Sequence, residues 1–324
     1  CGGRCGSGWG STVWRLGERI GEPRLKMKDR IKPIDVFIIG AQKAGTTSLK
    51  EYLAGHPMIC THYQLEMTFF VNTHHYKLGY PSAFIRYFPH FKKGQTILAK
   101  NVDVFTNAWA MQVLHEHNPE VRIILLFRNP VDRAYSAYWY ARQKGKEPVS
   151  SFDEAVWLNP SRFADPMVQR YCAYLDRGCY AKWIKETYQY FPKENVWVYL
   201  FETLKTDPCS VCNDILHRLG LSPFLINSHS LGSVQNRAAL PRSPTLAKLA
   251  FQPGQARPLR MMMRKFLPDR IRDRIRKWIS EVNKKPFTYP PMNPETRQKL
   301  IEYYRPLNQE LGELLGLDLS HWNQ

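Results

Sequence analysis

The chain is short of acidic residues, of long apolar runs and of regularly spaced cysteines. No hydrophobic run approaches the roughly 18 to 20 residues that a membrane-spanning helix needs, and no signal-peptide core is present. Its seven cysteines are unevenly spaced, unlike those of a small disulfide-stabilised domain. The hydrophobic content of 44% is that of an ordinary globular protein with a sizeable core.

The shortage of acids leaves 46 lysine and arginine residues against 28 aspartate and glutamate residues, a formal net charge of +18. Such an excess is compatible with nucleic acid, an acidic membrane surface, or an anionic small molecule or polymer as partner. Residues 257–285 carry eleven basic and three acidic residues, a net charge of +8. This stretch is either a face for an anionic ligand or the solvated side of an amphipathic helix.

The cysteines do not predict a metal site. Cys209 and Cys212 form one C-x-x-C without a second cysteine or histidine pair to complete a zinc set. We interpret them as structural thiols in a predicted helix. Cys172 and Cys179 could form a disulfide in an oxidising compartment, and the sequence leaves their state open.

The order of elements predicts an α/β fold with a P-loop-like central parallel sheet, flanked by helices on both faces, and a basic helical C-terminal part. The continuous apolar run Val121–Phe127 suits a strand that is buried on both faces. We expect a flexible lead-in over residues 1–33 and a single domain over residues 34–324. Predicted strands cover residues 35–39, 96–100, 121–127 and 196–201. Predicted helices cover residues 46–55, 108–117, 131–143, the stretch from 201 to Leu219, 269–282 and 294–315, with loops over residues 227–258.

The most informative motif is a glycine loop between the first predicted strand and the first predicted helix. Gly40 ends the apolar run, and Gly45–Ser48 follow where the helical pattern begins. Such a turn points successive backbone N–H groups at an anion. A nucleoside-triphosphate loop places its lysine directly after the second glycine. Lys43 instead lies inside the loop, which favours a different phosphate-bearing ligand.

A second candidate anion site follows the strand at Val121–Phe127. Arg128 ends this strand at the carboxyl edge, where open α/β sheets bind ligands, and Ser136 lies about two turns into the next helix. Arginine and serine can hold a phosphate together, through the planar guanidinium and the hydroxyl. A triphosphatase would have an acidic residue here to hold Mg²⁺. The two sites therefore predict a nucleotide with phosphates at two separate places, bound without a metal.

With these motifs the chain resembles the sulfotransferases that depend on 3′-phosphoadenosine 5′-phosphosulfate (PAPS). GAQKAGTTSL resembles their 5′-phosphosulfate loop, and LLFRNPVDRAYSAYWY resembles their 3′-phosphate element. Further similar segments include LEMTFF, RGCYAKWIKETYQYFP and VYLFETLKTDP, and the pattern is closest to the Golgi heparan-sulfate-type enzymes and their bacterial relatives. The resemblance implies a location in the Golgi lumen if an anchor was removed upstream, or in the cytoplasm of a bacterium.

The resemblance also implies roles for individual residues. Lys43 matches the lysine that contacts the phosphosulfate and stabilises charge on the bridging oxygen. Arg128 and Ser136 match the pair that binds the 3′-phosphate. The residues that match the 5′-phosphate cradle are Ala44, Gly45, Thr46, Thr47 and Ser48.

Glu66 matches the general base of the heparan-type branch, although Leu65 replaces the lysine that precedes it in that branch. A glutamate there would take the proton of an acceptor hydroxyl as it attacks sulfur. His62 is the rival base, as in the histidine-using cytosolic branch. Lys100 matches the lysine of the family's K-[ST]-P-x-Y segment, but the Ser-Pro pair is missing. Asp103, which follows, is interpreted as a surface or capping residue.

Two further candidates for phosphate contacts, Arg237 and Arg242, lie in a segment that resembles the region closing over the cofactor in related enzymes. The resemblance predicts transfer of a sulfuryl group from PAPS to an acceptor hydroxyl, with adenosine 3′,5′-bisphosphate (PAP) as product and no metal. The expected acceptor is a carbohydrate that could be anionic, and no nucleic acid is expected. Two alternatives stay open: a catalytically degenerate relative that binds anionic glycans, and a P-loop small-molecule kinase, which Lys43 and Arg128 disfavour.

Overall fold

The computed structural model describes residues 31–226, 239–241, 284–286 and 288–324. The predicted helix over residues 269–282 lies outside these ranges, as do Arg237 and Arg242. Of the segment 227–258, which was predicted to form loops, the described part is a short strand, Ala239–Pro241, that pairs antiparallel with Lys284–Pro286.

The central sheet has five strands that pair in parallel in the order β2-β3-β1-β4-β5, which confirms the predicted α/β fold. Every residue of the middle strand β1 is buried, because other elements cover both of its faces. The five strands are β1 Val36–Gly40, β2 Ile59–Thr61, β3 Thr96–Lys100, β4 Arg122–Phe127 and β5 Val196–Leu200.

Helices follow the strands and pack around the sheet. Those of the N-terminal half are α1 Thr46–Ala54, α2 Thr73–Lys77, α3 Tyr80–Tyr87, α4 Ala108–His117, α5 Pro130–Gln143 and α6 Phe152–Ala155. Those that follow are α7 Pro166–Cys172, α8 Tyr180–Tyr190, α9 Phe201–Thr206, α10 Pro208–Arg218 and α11 Pro294–Leu315.

The prediction of one helix from residue 201 to Leu219 was wrong, because the helix is interrupted at Asp207. Pro208 has no N–H to continue the first helix. The side chain of Asp207 accepts a hydrogen bond from the Ser210 N–H at 2.9 Å and so begins a new helix. Two short helices, α9 and α10, therefore replace the single predicted one.

The cysteines of the described part are free thiols. Cys172 and Cys179 are both buried and are not joined to each other, so the disulfide that the sequence left open is not formed. Cys209 and Cys212 lie in α10, in agreement with their interpretation as structural thiols. Over the described ranges no His, Cys, Asp and Glu side chains cluster as metal ligands, and no helix is long and apolar enough to cross a membrane.

The strand order places a crevice at the carboxyl ends of β1 and β4. These strands are neighbours, but the chain leaves β1 toward the β2-β3 side of the sheet and leaves β4 toward β5. Loops that diverge from adjacent parallel strands leave room for a ligand between them. The loop at 40–46 and the turn at 128–130 thus face the same space.

Candidate active site

The loop between β1 and α1 has a backbone conformation that suits an anion cradle. Two of its residues have left-handed backbone angles, Lys43 with φ 69° and Gly45 with φ 86°. A Cβ atom built on Gly45 would lie 2.8 Å from Cδ2 of Phe201, so this turn requires glycine. Helix α1 begins without a side-chain cap, which leaves its first N–H groups as donors for an anion. The predicted cradle residues lie together here: Ala44, Gly45, Thr46, Thr47 and Ser48.

Lys43 places its ammonium group against the ring of Tyr140, with Nζ 4.5 Å from the ring centroid. Burial is the main cause that lowers the pKa of Lys43 to about 8, with smaller contributions from the positive charges of Arg128, Lys144 and Lys100. Crowded cations of this kind are stabilised when an anion binds among them.

Arg128 connects the second predicted phosphate element to the first. Its Nη1 donates to the carbonyl oxygen of Lys43 at 3.3 Å, and its guanidinium carbon lies 5.0 Å from the Phe201 ring centroid. The Tyr180 hydroxyl donates to the carbonyl oxygen of Arg128 at 2.9 Å, and its ring stacks on Phe127 with centroids 4.4 Å apart. Strand β4 and helix α8 thus fix the backbone from which Arg128 reaches the loop.

Ser136 lies about two turns into α5 and is half-buried. It precedes Tyr140 by four residues, so both side chains share the helix face that approaches Lys43. Within the described part of the chain, no hydrogen bond joins Ser136 to Arg128. That the two residues hold one phosphate therefore stays a prediction.

Glu66 and Lys100 form an ion pair beside the loop, with 2.5 Å between Lys100 Nζ and Glu66 Oε1. The other carboxylate oxygen accepts a hydrogen bond from the Val102 N–H at 3.2 Å. Burial raises the pKa of Glu66 above the ordinary glutamate range, Lys100 opposes this effect, and Asp103 reinforces it. The Glu66 side chain is 24% exposed, so a substrate can still approach the carboxylate.

His62 uses both ring nitrogens for the backbone. Its Nδ1 lies 2.8 Å from the Gln64 carbonyl oxygen, to which it donates, and its Nε2 accepts from the Lys100 N–H at 3.1 Å. Burial, with help from the Lys50 charge, lowers the pKa of His62 to about 3. A neutral ring with both nitrogens occupied stabilises the β3 end and has no free position for a substrate proton.

Asp103 was interpreted as a surface or capping residue, but its carboxylate forms an ion pair with Arg177. Arg177 Nη1 lies 2.8 Å from Asp103 Oδ1, and its Nη2 donates to the Val102 carbonyl oxygen at 2.9 Å. Arg177 itself is buried, at 3% exposure. The sequence offered only an indirect signal, the RGCYAKW segment, and no local pattern connects two residues so far apart in the chain.

Two tyrosines of the site were also missed. Tyr140 of α5 contacts Lys43. Tyr171 of α7 stacks on the ring of Tyr140, with ring centroids 5.9 Å apart. Aromatic residues at these helix positions have the same signature as core residues, so the sequence did not distinguish them.

A family model described as "Sulfotransferase domain" matches residues 33–238. The chain belongs to the sulfotransferase family. It is 27% identical over 300 residues to the human protein "Bifunctional heparan sulfate N-deacetylase/N-sulfotransferase 3", an alignment that covers 88% of this chain and 30% of that protein. The human protein of the same name numbered 2 is 25% identical over 290 residues, with 86% of this chain and 29% of that protein covered. The chain thus spans less than a third of the length of these relatives.

The fold of this sulfotransferase chain is also that of a solved structure, a sulfotransferase from Alicyclobacillus acidocaldarius. The TM-score is 0.63 at 23% identity, with 91% of this chain and 100% of that chain covered. The family match ends at residue 238, so it includes the predicted arginine at position 237 and excludes Arg242. Both residues stay predictions, since they lie outside the described ranges.

Proposed function

We propose that this sulfotransferase-family chain transfers a sulfuryl group from PAPS to a hydroxyl group of a carbohydrate. The observation that carries the proposal is the contact between the two anion-binding elements, in which Arg128 donates to the Lys43 carbonyl at 3.3 Å. In the described part of the chain neither cation pairs with a carboxylate, whereas Lys100 and Glu66 form an ion pair next to them. Unpaired cations next to a carboxylate suit an anionic donor and a proton-losing acceptor.

The residues present fit the donor. Gly45 adopts the left-handed turn before α1, and no side chain caps the first N–H groups of that helix, so a 5′-phosphate could bind there. Arg128, at the neighbouring strand end, would hold the 3′-phosphate, with Ser136 as its expected partner. When bound, PAPS supplies an activated sulfuryl group on its 5′-phosphate.

The remaining chemistry belongs to the protein. Glu66 would take the acceptor's proton while a new bond forms between the acceptor oxygen and sulfur. The bond between sulfur and the bridging oxygen breaks at the same time, and Lys43 would stabilise the negative charge that collects on that oxygen. A raised pKa makes Glu66 a better base than an exposed glutamate would be.

A carbohydrate acceptor is supported by the names of the relatives, which are heparan sulfate enzymes. The formal charge of +18 suits an acidic glycan. We favour a hydroxyl over an amine as the attacking group, although the relatives' names specify N-sulfotransferase activity.

The test is an acceptor screen with labelled PAPS, read by mass spectrometry of the products. We expect label transfer to at least one glycan, and its loss in Lys43→Ala. The matched control is Lys182→Ala, because Lys182 lies on α8, is 60% exposed and pairs with Asp176 just before that helix. Transfer by Lys43→Ala at the wild-type rate would rule out the role of Lys43. Heparin binding without turnover on any acceptor would instead indicate the degenerate glycan-binding alternative, which the loss of the lysine before Glu66 favours.

A further inference from the structure

The ammonium group of Lys43 has an aromatic neighbour where a carboxylate would be the ordinary partner. Its Nζ lies 4.5 Å from the centroid of Tyr140, and Lys144 Nζ lies 5.4 Å from the same ring. Tyr171 of α7 stacks on Tyr140, with centroids 5.9 Å apart and ring planes 24° apart. The ring that meets Lys43 is therefore held from a second helix.

The positive charges around Lys43 explain why an aromatic ring is a suitable partner for its ammonium group. Arg128 after β4, Lys144 after α5 and Lys100 at the end of β3 are all positive and repel the ammonium group. Two carboxylates of this region are already engaged, Glu66 by Lys100 and Asp103 by Arg177. A carboxylate on Lys43 would neutralise the charge that the reaction needs. The face of an aromatic ring attracts a cation without neutralising it.

We propose that Tyr140 is a positioning residue whose ring, supported by Tyr171, holds the Lys43 ammonium group in the donor loop while leaving its charge available to the departing phosphate oxygen. This inference rests on the proposed function for its catalytic consequence. Its physical basis, attraction between the Tyr140 face and Lys43, holds independently of the reaction.

The proposal assigns the effect to the ring and not to the hydroxyl. Burial raises the pKa of Tyr140 well above its ordinary value, so its hydroxyl stays protonated and carries no charge that could attract Lys43. Tyr140→Phe keeps the ring, whereas Tyr140→Leu keeps a smaller apolar side chain and removes the aromatic face.

The first measurement compares kinetics of these two variants with labelled PAPS. We expect Tyr140→Phe to keep close to the wild-type kcat, and Tyr140→Leu to lose roughly three- to thirtyfold in kcat with a smaller change in the KM for PAPS. If Tyr140 had only a structural role, both variants would lose activity alike, or they would lose it only because they are less stable. Thermal unfolding of both variants measures the loss of stability, so that its effect on kcat can be separated. Equal kcat values for the Phe and Leu variants would overturn the proposal.

The second measurement does not depend on activity. Competitive acetylation of Lys43 across neutral and alkaline pH, followed by mass spectrometry, gives the pH midpoint of its deprotonation, expected at about 8 in the wild type. The midpoint should stay unchanged in Tyr140→Phe and fall by about half a unit to one and a half units in Tyr140→Leu, since the charged form loses its ring. Equal midpoints for the Phe and Leu variants would refute the contact. If the midpoints of the wild type and both variants are as expected but the wild type transfers no label, the proposed function is refuted and the contact between Tyr140 and Lys43 still stands.

Discussion

The basic residues on the two sides of the candidate site have different kinds of partner. On the donor side, Lys43 and Arg128 contact aromatic rings and a backbone carbonyl. On the acceptor side, Lys100 pairs with Glu66, and Arg177 pairs with Asp103. In the described part of the chain, Lys43 and Arg128 thus lie where a multiply charged donor is expected and pair with no carboxylate.

This difference shows how one crevice can serve both partners of a transfer. The unpaired cations contribute binding energy only when an anion arrives, because their mutual repulsion is relieved at that moment. The paired side instead holds a carboxylate in a fixed direction with two hydrogen bonds. Under the proposed function, donor binding and proton removal would depend on separate residues, so mutations should separate them.

The largest expected effect is on the acceptor side, in Glu66→Gln. The amide keeps the shape of the side chain but cannot accept a proton, so kcat should fall by roughly 10²- to 10⁴-fold while PAP affinity stays unchanged. Steady-state kinetics and calorimetric titration of PAP measure the two quantities.

The matched variant is His62→Leu, which removes the rival base. It should keep turnover per folded molecule, while its stability falls by about 1–3 kcal/mol because the Lys100 N–H loses its acceptor. Loss of turnover in folded His62→Leu, with activity kept in Glu66→Gln, would reverse the two assignments.

The next largest effect is on the donor side, in Arg128→Ala. Removal of a charge-assisted contact to phosphate should weaken PAP binding by about ten- to hundredfold. Arg122→Ala is the control, because Arg122 lies at the other end of the same strand and bonds Asn195 there. Equal PAP affinity in both variants, measured by calorimetry, would show that Arg128 does not face the donor.

A smaller effect, on stability, is expected for the turn of the donor loop. Gly45→Ala introduces both a left-handed alanine and a contact of 2.8 Å with Phe201, whereas Gly220→Ala has a similar φ of 69° and open space around its Cβ. Gly45→Ala should therefore cost about 1–3 kcal/mol more in unfolding free energy than Gly220→Ala. Denaturant unfolding measures this difference, and identical costs would mean that Phe201 does not shape the turn.

The smallest effect is a shift in the pH dependence of kcat/KM. As the proposed base, Glu66 would have to be ionised, so activity should rise with pH through its raised pKa. In its proposed role Lys43 would have to be protonated, so activity should fall as pH rises through about 8. In Lys43→Arg the alkaline limb should disappear, since arginine stays charged. An unchanged alkaline limb in that variant would assign it to another group.

The glycine loop and the strand end at Arg128 could be predicted from the sequence because their signals are local. Gly45 and Lys43 lie within one loop, and the apolar runs before that loop and before Arg128 mark β1 and β4. The predicted start of the first helix at Thr46 is confirmed. Strand β2, with three residues, has too few positions to show a pattern.

The acceptor side could be predicted only in part. Glu66 came from the family resemblance, whereas the Asp103–Arg177 pair joins residues separated by 74 positions and leaves no trace in either segment. The contact of Tyr140 with Lys43 depends on how α5 is rotated against the loop. Packing sets that rotation, and helical periodicity alone does not supply it.

The packing of Phe201 against the loop at residues 40–46 has a consequence for the order in which the site forms during synthesis. Phe201 lies against Gly45 and beneath the Arg128 guanidinium, yet it enters the chain long after both. During synthesis the loop and all five strands of the sheet emerge before Phe201, which follows β5 directly. Contacts between distant positions form late because the intervening chain must first be ordered. If this loop binds the donor as proposed, a nascent chain would gain that capacity only once Phe201, at the start of α9, has packed against Gly45, so that PAP would stabilise chains that include α9 and not shorter ones.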